Sequence, residues 1–219
     1  MQLFILWKDL FVLLIFCLFV HTKCFEKVSV NVVAASRCPD TTSWEDEVGY
    51  NLLYYLHEIV DLRIDYLASY EKNDNNYKFT CMHGENECIG NRYQLCAQKY
   101  FQEDWLYLKF IGCMNENRYS IPNNVEDCAN NLLMDWDTLE SCYQTESALL
   151  FADSIDSVNT DYDSSWVPTI FINHDLYCEW HKANCPNDWT GFREKICFEY
   201  QGTLPYNCNQ FSEFRSRAL

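Results

Sequence analysis

The stretch Val28-Ser29-Val30-Asn31-Val32-Val33-Ala34-Ala35-Ser36-Arg37-Cys38-Pro39-Asp40-Thr41 decides the architecture. Val28, Val30 and Val32 alternate and the run stays apolar to Ala35, the pattern of a largely buried strand. Ser36 and Arg37 interrupt it, and Pro39 suits the first turn of a helix, where a missing N–H is no loss. Trp44, Val48, Leu52, Leu56 and Ile59 then lay one apolar stripe along that helix. From Val60 to Tyr66 the chain alternates again, with Val60, Leu62, Ile64 and Tyr66 set against Asp61, Arg63 and Asp65, which predicts a half-exposed strand. Strand, helix and strand in this order give an α/β chain with a cysteine at the strand-to-helix junction. Cys38 thus stands where unpaired N–H groups and the helix dipole favour a thiolate, the nucleophilic form of the thiol. Arg37 assists that ionisation and Asp40 opposes it.

The rest of the composition narrows the setting. The chain has 219 residues, 48% of them hydrophobic and 16% aromatic, enough for a packed core. Acidic side chains outnumber basic ones 32 to 16, which argues against nucleic acid as a partner. Thirteen cysteines imply disulfides in an oxidising compartment or zinc in a reducing one. The N-terminus chooses between them: Lys8-Asp9, an apolar run from Leu10 to Val20, and polar residues from His21 have the layout of a secretory signal peptide over residues 1–24. That run is too short for a stable membrane span. Export favours disulfides even for Cys81-x-His83 with Cys88, and for Cys178, His181 and Cys185, whose spacings zinc also accepts, so no metal is expected. Removing the leader takes Cys17 and Cys24 and leaves an odd number of cysteines, hence one free thiol or an intermolecular bridge.

Cys81-Met82-His83-Gly84-Glu85-Asn86-Glu87-Cys88, followed by Asn91 and Cys96, resembles the C-Q-H-G-x-x-E-C-x-x-N signature of the gamma-interferon-inducible lysosomal thiol reductases. Further anchors follow in the family's order: Glu126-Asp127-Cys128-Ala129-Asn130 with Cys142, Trp166-Val167-Pro168, and Cys197-Phe198-Glu199-Tyr200-Gln201-Gly202 with Pro205 and Cys208. Cys38-Pro39-Asp40 occupies the place of the family's C-x-x-C. The resemblance implies one domain over residues 25–219, a thioredoxin-like core with a long helical, disulfide-rich insertion at about residues 80–160. It implies reduction or exchange of disulfides in protein substrates, in the endolysosomal lumen or outside the cell. It implies no cofactor beyond an external thiol such as glutathione or cysteine, and it makes Pro168 a cis-proline facing Cys38.

Two positions depart from the family pattern. Met82 stands where the signature has Gln, and Thr41 stands where the second active-site cysteine belongs. A dithiol enzyme resolves its mixed disulfide with that second thiol. Thr41 offers only a hydroxyl, expected at most to hydrogen-bond the Cys38 thiolate, so a single-cysteine mechanism is expected. The substitution matches the odd count, since the other ten cysteines make five bridges and leave Cys38 free; their connectivity stays open, although Cys81 to Cys88 and Cys178 to Cys185 permit local loops. His83 is expected to be a hydrogen-bonded structural residue rather than a catalytic one.

Elsewhere, Thr169 to Asn173 predicts a short strand, Asn173-His174-Asp175 a hairpin turn, and Leu176-Tyr177 the return strand. Helical spacing places Tyr93, Cys96, Ala97 and Tyr100 on one face and Leu132, Leu133, Trp136 and Leu139 on another, and predicts a helix over Ala148 to Ser157. Lys72 to Asn76 reads as a polar connection, and Asp153, Asp156, Asp161 and Asp163 as a solvated face. The chain has no Asn-x-Ser/Thr site, which argues against lysosomal delivery through N-linked glycans. Two other functions compete: a secreted binding protein that has lost turnover with its second cysteine, and a saposin-like lipid-binding module of disulfide-linked helices, against which both predicted strands count.

Overall fold

The computed structural model describes residues 25–74 and 76–209; the expected leader lies outside them. Strand β1 (Val28–Ala34) leads through Cys38 into helix α1 (Pro39–Trp44), which continues through a π-helical turn, Glu45–Gly49, into α2 (Tyr50–Leu56). Strand β2 (Val60–Tyr66) closes this unit, and a separate hairpin follows, β3 (Ser69–Asn73) and β4 (Asn76–Thr80). Five helices come next: α3 (Glu85–Tyr100), α4 (Leu106–Asn115), α5 (Val125–Asn131), α6 (Trp136–Thr145) and α7 (Ser147–Ser157). The chain returns through β5 (Thr169–Ile172) and β6 (Asp175–Glu179) and ends the described part in α8 (Trp189–Glu199) and α9 (Tyr206–Asn209).

The main sheet has the order β2-β1-β5-β6. β2 lies parallel to β1 with Val28 opposite Val60 and Ala34 opposite Tyr66, whereas β5 runs antiparallel to β1 and β6 antiparallel to β5. Asn173 and His174, both at positive φ (51° and 69°), make the two-residue turn between β5 and β6, as a type I′ hairpin requires. The pleat divides β1 between two cores: Val28, Val30, Val32 and Ala34 face the main one, while Val33 and Ala35 join a smaller cluster with Cys38, Val158, Val167 and Phe171. The stripe Trp44, Val48, Leu52 and Leu56 is fully buried in the main core. At roughly 1.5–3 kcal/mol per buried side chain it fixes the Cys38 helix against the sheet.

As an edge strand, β2 needs partners for its outward backbone groups. Gln98 of α3 supplies two, accepting from Ile64 N at 2.8 Å and donating to Ile64 O at 3.1 Å. Ser154 Oγ accepts from Tyr66 N, and the Tyr107 hydroxyl donates to Leu62 O. Helices α3, α4 and α7 therefore cap the sheet edge. Among the described residues five disulfides form: Cys96–Cys142 and Cys113–Cys128 join helices to one another, and Cys81–Cys88, Cys178–Cys185 and Cys197–Cys208 close short local segments.

Three local expectations change. Lys72 and Asn73 belong to β3 and Asn76 to β4, strands that pair from Ser69 opposite Thr80 to Asn73 opposite Asn76. Leu132 to Leu139 is not one helical face: α5 stops at Asn131, Leu133 adopts φ 56° and is exposed, and Asp135 starts α6 anew by accepting from Asp137 N and Thr138 N. Tyr100 is likewise exposed, although Cys96 and Ala97 on the same helix are buried. The four-stranded sheet removes the all-helical saposin-like alternative. Among the described residues no helix is long and apolar enough to cross a membrane.

Candidate active site

Cys38 is the N-cap of α1, with extended backbone (φ −75°, ψ 126°). Its N–H donates to Ala35 O at 3.0 Å and its carbonyl accepts from Thr42 N at 3.0 Å, so a turn closes on one side and the helix opens on the other. It is the one free cysteine among the described residues, and it retains 6% exposure. Any reagent that meets the sulfur does so through that small opening. The Val167–Pro168 peptide bond is cis, and Val167 belongs to the same buried cluster as Cys38. Pro168 O accepts from Trp180 N at 3.0 Å, and the Trp166 indole N–H donates to Trp180 O at 3.4 Å, which anchors this loop to the end of β6. Lys182 Nζ lies 3.6 Å above the Trp166 ring.

Thr41 is fully buried, and its hydroxyl oxygen accepts from Ala35 N at 3.3 Å. The expected hydrogen bond from Thr41 to the Cys38 sulfur is not formed. The Thr41 oxygen instead meets the buried backbone N–H of Ala35, at the end of the strand, and so satisfies a donor that the sheet leaves unpaired. Asp40, in the first turn of α1, lies 3.7 Å from His181 Nε2; both groups are half-exposed, so the pair adds little stability.

The signature residues form a brace behind this loop. The fully buried Glu87 carboxylate accepts from Arg37 N at 3.3 Å, from His83 N at 3.1 Å and from His83 Nδ1 at 2.5 Å. Asn91 Oδ1 accepts from Ser36 N at 2.9 Å, and its amide points to the Cys81 sulfur at 3.9 Å. Ser36 Oγ donates to Glu87 O at 3.2 Å. Glu87 and Asn91, one turn apart on α3, thus hold the two backbone N–H groups that precede Cys38. Gly84, at φ 87°, makes the N-cap turn into α3, a conformation that other residues rarely adopt, while Cys81–Cys88 closes that turn. His83 serves this brace.

Comparison with known proteins agrees with this construction. The family model described as "Gamma interferon inducible lysosomal thiol reductase (GILT)" matches residues 29–132, which include Cys38, the brace and the helices up to α5. Over those residues the chain is similar to the gamma-interferon-inducible lysosomal thiol reductase family. "GILT-like protein 1" of Drosophila melanogaster is 27% identical over 216 residues, covering 90% of this chain and 85% of the relative. BdbD from Bacillus subtilis superposes with a TM-score of 0.55 at 14% identity, over 80% of this chain and 88% of that one. A thioredoxin-like oxidoreductase from Silicibacter pomeroyi gives 0.54 at 13% identity, over 89% and 88%. The fold is therefore thioredoxin-like, and family and fold together are those of thiol–disulfide oxidoreductases.

Met82 is exposed, and the hydrogen bonds of the brace are made without its side chain. Sequence reasoning missed Ser36 and Gly90. A Cβ on Gly90 would stand 2.4 Å from Ile121 Cγ2 and 2.6 Å from Ser36 Oγ, so the glycine is what lets α3 approach the loop. The available signal was a polar series on α3, Glu87, Asn91, Gln94 and Gln98, at helical spacing; all four hydrogen-bond to β2 or to the Cys38 loop.

Proposed function

We propose that the protein is a monothiol thiol–disulfide oxidoreductase that reduces or exchanges disulfides of protein substrates in an endolysosomal or extracellular space. The observation that carries this reading is that Cys38, at the N-cap of α1, is the one cysteine among the described residues left out of the five disulfides. The Cys38 thiolate attacks one sulfur of the substrate disulfide. A mixed disulfide forms and the other substrate sulfur leaves as a thiolate that takes a proton from solvent. With Thr41 in place of a second thiol, a small external thiolate attacks the Cys38 sulfur and releases the second substrate thiol. A second small thiolate then attacks the donor sulfur, freeing Cys38 and leaving as the oxidised donor. Each cycle reduces one disulfide and oxidises two small thiols.

The Val167–Pro168 loop, with Trp166 beside it, offers the substrate chain an apolar edge next to the thiol. Five disulfides suit an oxidising lumen. The test is thiol release from a disulfide-bearing protein in the presence of glutathione or cysteine. Cys38→Ser is expected to give only the uncatalysed rate, and full activity in that variant refutes the mechanism. If the wild-type instead accumulates a lasting mixed disulfide that no donor releases, the protein is a capture protein rather than an enzyme.

A further inference from the structure

We infer that Arg37 and Arg118, joined through Tyr119, form a carboxylate-recognition site beside Cys38 that selects carboxylate-bearing small thiols as the reductant. The inference rests on the monothiol reading and names the donor class for it. Arg37 Nη2 donates to Tyr119 O at 3.2 Å. Arg118 Nη2 donates to the Tyr119 hydroxyl at 2.7 Å, and its guanidinium lies 4.4 Å from the centre of that ring. Tyr119 itself is 71% exposed, so the assembly sits at the surface. Arg37 directly precedes Cys38, its backbone N–H is held by Glu87, and its guanidinium is held at Tyr119 O.

Among the described residues neither of these two cations is in an ion pair with a carboxylate, a state they share with Lys27 and Arg92, but they alone of these four are joined through one residue, Tyr119. Arg63, Lys99 and Lys195 each have a carboxylate partner. Arg37 and Arg118 use a carbonyl and a phenol instead, although acidic side chains outnumber basic ones 32 to 16. Each guanidinium has five N–H donors in a fork that matches a carboxylate, and the contacts to Tyr119 occupy few of them. Two acids of the Cys38 loop and its brace are otherwise engaged: Asp40 faces His181, and Glu87 is buried against His83 and the Arg37 backbone. The protein as a whole repels anions, so an anionic thiol gains at Cys38 only through a local cationic site. The thiol that must attack the Cys38 mixed disulfide is small because so little of that residue is exposed.

The test uses the disulfide-intact protein with Cys38 converted to a thiopyridyl disulfide. Attack by an external thiolate forms a new sulfur–sulfur bond to Cys38 and expels thiopyridone, which is read by its absorbance. 3-Mercaptopropionate, 2-mercaptoethanol and cysteamine are compared per thiolate, with each rate divided by that on a small thiopyridyl disulfide. Wild-type is expected to favour mercaptopropionate over mercaptoethanol by about fivefold and to disfavour cysteamine, with the preference shrinking in salt. Arg118→Gln and Arg37→Gln each lose most of the preference, whereas Lys78→Gln, an equal change of charge on the distant hairpin, keeps it. Equal normalised rates for all three thiols in wild-type, or a preference untouched by both arginine variants, overturn the site while leaving the monothiol reading intact. Failure of every thiol to release thiopyridone overturns that reading as well.

Discussion

Glu45→Gln tests the most exacting electrostatic feature of the fold. Glu45 opens the π-helical turn that continues α1 and is 2% exposed. Asn115, the last residue of α4, donates from Nδ2 to Glu45 Oε2 at 2.8 Å. The remaining oxygens, Glu45 Oε1 and Asn115 Oδ1, are buried with no partner among the described residues. One proton on Glu45 supplies the missing donor. Burial pushes the carboxyl up from 4.5 to about 8, the Asn115 hydrogen bond opposes this in part, and the neighbouring Asp46 adds to it. Tyr66, the other titratable group facing Glu45, is held neutral by its own burial. The folded-state value lies above the unfolded one, so the stability linked to this proton is fully present below pH 4.5 and is lost as the pH rises through about 8. At about 1.4 kcal/mol per pH unit the whole interval amounts to roughly 5 kcal/mol, of which about 3 kcal/mol falls between pH 5 and 7.5. Gln mimics the neutral acid in shape and hydrogen bonding and does not titrate. Urea unfolding of both proteins with disulfides intact is expected to give stabilities within about 1 kcal/mol at pH 5 and a variant about 3 kcal/mol more stable at pH 7.5. Subtracting the curves removes every other titrating group. A difference that stays constant from pH 5 to 7.5 refutes the buried neutral acid and, with it, the idea that the Cys38 helix docks on the helical layer best in acid.

Two further substitutions address the site. Thr41→Cys restores a second thiol at a buried position; it costs about 1–2 kcal/mol for the lost acceptor of Ala35 N, and it is expected to form a disulfide between Cys38 and the introduced thiol and to turn over with no mixed disulfide to the small thiol, both read by mass spectrometry of acid-quenched samples. Gly90→Ala gains about 1 kcal/mol of helix propensity but places a methyl 2.4 Å from the buried Ile121, so a net loss of about 1–2 kcal/mol is expected in denaturant titrations. A stabilised variant refutes the close approach of α3 to the Cys38 loop.

What was legible in the sequence follows the range of the interactions. β1, the Cys38 junction and β2 were written in periodicity, because burial on one face repeats every two or 3.6 residues whatever lies opposite. The two-residue turn at Asn173 and His174 was legible for a similar reason, since positive φ is a local demand that Asn meets readily. The β3–β4 hairpin was not: β3 carries Glu71, Lys72 and Asn73, and the alternation of β4 rests on only Tyr77 and Phe79 in a largely exposed pair of strands. The break before α6 was hidden because Leu132 and Leu133 imitate a helical stripe, while the cap that overrides them is the single residue Asp135.

The site divides in the same way. Cys38 was legible from its place at a strand-to-helix junction and from the odd number of cysteines, both properties of the chain alone. The work of Glu87 and Asn91 was not, because their partners Arg37 and Ser36 lie 50 and 55 residues away. The signature shows residue types; their use depends on a docking that only the fold supplies. The consequence is chemical as well as structural. A buried carboxylate is costly unless several donors meet it, and Glu87 meets three, two of them backbone or imidazole groups of His83 and the third the N–H of Arg37. Satisfying Glu87 therefore requires the Cys38 loop to be in place, so the energy that stabilises α3 is the same energy that positions the thiol and the Arg37 cation beside it.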